Sequence, residues 1–86
     1  MSKPEGKNVP YNGKYKSKYI KLGLKIQYYR KLRGYTQEVL AELADVSTSF
    51  LSHVEAPGIV KGISLENLFA IADVLEIEPY QLLKED

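Results

Sequence analysis

The chain has no cysteine, one methionine and one histidine in 86 residues. Without cysteine there is no disulfide framework and no thiolate metal site, which fits a reducing compartment and an expected cytoplasmic location. A single histidine cannot assemble a histidine-based metal site, so neither a metal nor another cofactor is expected. Catalysis lacks its usual equipment as well: no nucleophile stands beside a base and no paired acids mark a cleft, so the chain is not expected to be an enzyme. Apolar runs are only a few residues long, and nothing reads as a membrane span. The first residues are polar and basic with no apolar core behind them, so no secretory signal is expected. At this length the expectation is one small domain with a modest core, a compact helical bundle with no room for a separate effector domain.

Acidic residues are nearly missing from the first third. Residues 1–33 hold ten Lys or Arg against the single Glu5, a balance of +9, whereas residues 34–86 hold Lys61 and Lys84 against ten Asp or Glu, a balance of −8. The net charge of +1 conceals this two-ended distribution. A basic end can lie against phosphates while the acidic end points away, which favours a polyanionic partner held in one orientation. A solvated lysine-rich tail beside an acidic helical surface is the plainer alternative.

The rest of the chain is organised around residues 36–55, TQEVLAELADVSTSFLSHVE. Val39, Leu40, Leu43 and Ala44 recur at helical spacing, which predicts a buried stripe, and Ala41 is small enough to admit a neighbouring helix. Thr36 can cap this helix and Ser47 the next one. Between them Asp45 stands where a left-handed backbone is needed, a conformation open to Gly and, next best, to Asp or Asn. In the second helix Phe50, Leu51 and Val54 face inward. Thr48, Ser49, Ser52 and His53 take the opposite face. Four short, uncharged hydrogen-bonding side chains suit close approach to a surface dense in donors and acceptors, such as the major groove of DNA. A helix, a tight turn and a second helix presented outward form a helix-turn-helix.

In order and at nearly fixed spacing the chain carries Leu22-Gly23, Ile26, Arg30, Gly34-Tyr35-Thr36-Gln37, Leu40-Ala41, Val46-Ser47, Phe50-Leu51, Val54-Glu55, Ser64-Leu65, Leu68, Ile71-Ala72 and Leu75. These residues resemble the Xre type of helix-turn-helix proteins, related to the lambda-like phage repressors and Cro. The resemblance implies an all-α, five-helix, lambda-repressor-like domain that binds double-stranded DNA and regulates transcription, as a repressor. It also implies that Gln37 meets the DNA backbone beside the groove, and that Arg30 forms a partly buried ion pair with Glu55. The alternatives are a phosphate contact for Arg30 and a solvated helix end for Glu55.

Residues 1–16 contain prolines, glycines and asparagines without helical period, and read as a flexible basic arm. Tyr11, Tyr15 and Tyr19 among its lysines either pack back on the domain or track a phosphate backbone. The domain proper is expected over 17–86, with helices at about 17–33, 36–44, 47–56, 64–75 and 79–84. Ile20, Leu22, Ile26 and Tyr29 are inward candidates in the first helix, and Gly23 within it marks close helix packing. Gly34 ends that helix and Tyr35 fills the core beyond it. Residues 56–63 form a loop opened by Pro57, about two residues longer and less basic than in the family. Its Ile59, Val60 and Ile63 either cover the core, as expected, or make an exposed apolar knuckle. Ser64 caps the fourth helix and Pro79 opens the fifth.

The expected site therefore consists of Thr48, Ser49, Ser52 and His53 for base edges. Gln37, Ser47, Lys25, Lys31, Arg33 and Lys61 are the expected phosphate contacts, with Arg30 and Glu55 as a structural pair. One such unit reads few base pairs, so a homodimer is expected, with Tyr80, Leu82 and Leu83 as its candidate surface. The rival reading is a protein-interaction module on the same fold, an antitoxin or an antagonist of another regulator, with a toxin or regulator as partner.

Overall fold

The computed structural model describes residues 13–85. Five helices follow in order: α1 (Lys16–Leu32), α2 (Gln37–Ala44), α3 (Thr48–Glu55), α4 (Leu65–Leu75) and α5 (Tyr80–Leu83), with no strand among the described residues. The expected arm lies mostly outside these residues, Tyr11 included. Tyr15 precedes α1 and is half exposed, while Tyr19 is half-buried.

The core is assembled from one or two residues per helical turn. Leu22 and Ile26 of α1 meet Leu40, Ala41 and Ala44 of α2, Leu51 and Val54 of α3, and Leu68, Ile71, Ala72 and Leu75 of α4. Leu82 of α5 closes the bundle. Helix α1 lies against α3, α4 and α5, and α2 lies against α3 and α4. Gly23 lets α1 and α3 approach so closely that a Cβ there would collide with the backbone carbonyl of Val54.

Three helices end in the same way. The amides of Gly34, Asp45 and Glu76 bond back to Lys31, Glu42 and Asp73, and those of the following Tyr35, Val46 and Ile77 reach Arg30, Ala41 and Ala72. This paired closure needs a left-handed residue at each end: Gly34 has φ 79°, Asp45 φ 60° and Glu76 φ 60°. It also throws the next residue inward, and Tyr35, Val46 and Ile77 all pack against the core.

Several sequence expectations change here. Val39 and Leu43 lie on the edge of α2 and are largely exposed, because Leu40, Ala41 and Ala44 alone face α3 and α4. Leu82 is buried at 1% exposure, so it belongs to the monomer's core and cannot form part of a surface for another copy. In the long loop Ile63 packs onto the core and Val60 is half-buried, whereas Ile59 is exposed.

Candidate nucleic-acid interface

The turn between α2 and α3 sets the angle at which α3 is presented. Thr36 Oγ1 accepts the Val39 amide at 3.1 Å, and Ser47 Oγ accepts the Phe50 amide at 2.9 Å, so both helices begin on a hydroxyl cap. Leu51 and Val54 anchor one side of α3 in the core. Thr48, Ser49, Ser52 and His53 are all exposed on the other side. The amides of Thr48 and Ser49 stand at the open start of the helix, where the peptide dipoles leave partial positive charge.

The last turn of α3 is tied to α1. Arg30 donates from Nε to Glu55 Oε2 and from Nη2 to Glu55 Oε1, each at 2.8 Å, and from Nη1 to the Tyr35 carbonyl at 2.8 Å. Both side chains are buried, so this pair is a bidentate contact in a low-dielectric setting. Glu55 Oε1 also accepts from Gln37 Nε2 at 3.0 Å and from Gln27 Nε2 at 3.5 Å. Glu55 therefore joins α3 to α1 and to the first residue of α2. Sequence pattern alone assigns no role to Gln27 or to the Tyr35 carbonyl, which the fold brings to this pair. Gln27 precedes Arg30 by three residues, a spacing that puts both on one face of a helix.

Two expected phosphate contacts have partners inside the molecule. Gln37 points its amide nitrogen at Glu55, as above. Arg33 donates from Nε to the Leu75 carbonyl at 2.7 Å and from Nη2 to the Glu76 carbonyl at 3.4 Å. Its guanidinium caps the electronegative end of α4, where a cation is favoured. Lys61 and Lys31 are exposed and Lys25 is half-buried. Lys61 lies 5.9 Å from the centroid of the Phe50 ring, which holds the loop lysine beside α3. Of the expected dimer residues Tyr80 and Leu83 are exposed. Among the described residues no group of acids and histidines could hold a metal, and no helix is long and apolar enough to cross a membrane.

Residues 26–82 match the helix-turn-helix family. The transcriptional regulator SinR of Bacillus subtilis is 36% identical over 64 residues, covering 74% of this chain and 57% of SinR. SinR of Bacillus licheniformis matches to the same extent. The chain thus spans little more than half the length of these regulators. Among solved structures, the restriction-modification controller protein C.AhdI of Aeromonas hydrophila superposes with a TM-score of 0.71 at 32% identity, covering 77% of this chain and 97% of that one. The N-terminal DNA-binding domain of Bacillus subtilis SinR gives 0.69 at 35% identity, covering 76% and 93%. SinR in complex with DNA gives 0.68 at 35% identity, covering 73% and 98%. With its turn, its two capped helices and more than half its residues matching, the chain belongs to the helix-turn-helix family.

Proposed function

We propose that this protein is a non-catalytic, sequence-specific binder of double-stranded DNA that regulates transcription, as a repressor. The observation that carries the reading is the division of α3, which buries Leu51, Val54 and Glu55 and exposes Thr48, Ser49, Ser52 and His53. In the major groove Ser and Thr donate or accept, the Thr methyl touches thymine, and His donates to a purine ring nitrogen. None of these makes the bidentate contacts of Arg, Asn or Gln, so water and DNA shape share the discrimination.

Ser47 and the amides of Thr48 and Ser49 meet a phosphate, since the Ser47 hydroxyl keeps its own proton to donate while accepting from Phe50. Lys25, Lys31 and Lys61 add phosphate contacts. Gln37 steadies Glu55, and through it α3, more than it serves a phosphate, and Arg33 serves α4. The protein acts in the cytoplasm as a homodimer, with Tyr80 and Leu83 of α5 at the contact. SinR, whose structure with DNA resembles this fold, supports DNA binding over the antitoxin or antagonist reading.

The test is selection of bound duplexes from a random pool, repeated at two salt concentrations. A recurring motif enriched at both supports the proposal. Uniform, salt-sensitive retention of all sequences leaves only electrostatic binding.

A further inference from the structure

The outer side of α1 is not what a solvent-facing helix surface should be. Leu24, Tyr28 and Leu32 recur at i, i+4 and i+8 on the side turned away from Ile26, and are 42%, 59% and 65% exposed. The Tyr28 ring is braced edge-on by Tyr29, with centroids 5.0 Å apart at 79°. Around this ridge α1 carries five lysines and no Asp or Glu, and Glu85, bonded to Lys18 and Lys21, offsets only part of that positive charge. Helix α4 presents the complement: Leu65 and Phe69, at i and i+4, are 64% and 51% exposed. It has Glu66 and Asp73 and no basic residue.

We infer that the outer face of α1 docks on α4 of a second copy of this chain. Both surfaces are ridges of residues four apart, the rows that interdigitate when two helices cross. Their charges are opposite, so like-with-like pairing of α1 with α1 or α4 with α4 is disfavoured while α1 with α4 is favoured. The contact joins two different surfaces, so it propagates head to tail instead of closing on itself as a two-fold dimer does. It is separate from the base-reading face of α3, because α1 meets α3 through its opposite side, at Gly23 and Arg30. Leu83 adjoins it across Lys21 and Lys25, whereas Tyr80 lines neither groove beside this face.

Sedimentation of the full chain without DNA tests this, in a Tyr80→Glu background so that pairing through α5 does not contribute and the α1 face keeps its charge. The parent is expected to grow in mass with concentration beyond a dimer, and to do so less at high salt. Tyr28→Glu and Phe69→Glu each change a residue at least half exposed, and circular dichroism verifies that each folds. Each alone should associate roughly tenfold more weakly, since a charge is placed in an apolar contact. Mixed in equal amounts, the two variants retain one intact α1 and one intact α4 face between them, and should form a one-to-one pair that grows no further. The inference is overturned if the parent stays monomeric, if the mixture fails to pair, or if Tyr28→Glu abolishes association while Phe69→Glu leaves it intact, which would mean α1 meeting α1.

Discussion

The guanidinium of Arg30 and the carboxylate of Glu55 meet through two parallel hydrogen bonds of 2.8 Å, both side chains buried, joining the last turn of α1 to the last turn of α3. A buried pair of this kind contributes little net stability over an apolar pair of the same size, yet removing one member strands the other. Its value here is positional, because Glu55 also collects Gln37 and Gln27.

Glu55→Gln should therefore lower unfolding stability by about 3 kcal/mol, read from urea denaturation. Arg30→Met with Glu55→Leu should recover most of that loss while DNA affinity stays reduced, because the apolar pair cannot hold Gln37. Full recovery of affinity in the double variant would show that the network does not position α3.

The close crossing at Gly23 makes a second prediction. Gly23→Ala drives a methyl into the Val54 carbonyl, whose carbon would lie at 3.0 Å with the Glu55 Cα at 3.4 Å. Both neighbours are backbone, so the helices must separate, at a cost of about 1–3 kcal/mol or more. A thermal midpoint equal to that of the parent would mean that α1 and α3 are not in contact there.

Asp45 takes a left-handed backbone at the turn. Asp45→Gly should leave stability unchanged or raised, whereas Asp45→Val should lose about 1–2 kcal/mol, since a β-branched side chain crowds the carbonyl in that conformation. Equal stability of the two variants would exclude the left-handed turn.

The segment after α5 is clasped to α1 by Glu85, which accepts from Lys18 Nζ at 3.0 Å and Lys21 Nζ at 3.2 Å. The hydrogen bond from Lys18, then that from Lys21, and the charge of both hold the Glu85 carboxyl below the ordinary glutamate range. A depressed acid contributes stability above its unfolded pKa and loses it as pH falls through the folded value, so the clasp opens only in acid. The group is exposed, and the effect on global stability is small. Carboxyl NMR should show Glu85 titrating at lower pH than in a variant with Lys18→Met and Lys21→Met. Coincident curves would contradict the clasp.

Much of the fold was legible because the chain punctuates it. Thr36, Ser47 and Ser64 are hydroxyl caps, and all three accept an amide three residues on. Asp45 announced its turn, whereas Glu76 adopts the same conformation with no residue preference to betray it. Periodicity selected Leu40 and Ala44 correctly but also admitted Val39 and Leu43. Spacing on an eight-residue helix marks an arc, and only the neighbours decide how wide an arc they cover. The same holds for Leu82, one of three apolar residues in a single turn of which it alone faces the core. The destinations of Arg33 and Gln37 depend on where α4 and α3 end in space, which local pattern does not encode.

The most direct measurement is the affinity of His53→Ala for a selected duplex and for a scrambled one, each at two salt concentrations. If α3 reads bases, the substitution costs roughly 1–3 kcal/mol on the selected duplex and little on the scrambled one, with the salt dependence unchanged. Equal losses on both duplexes would contradict base readout by this face.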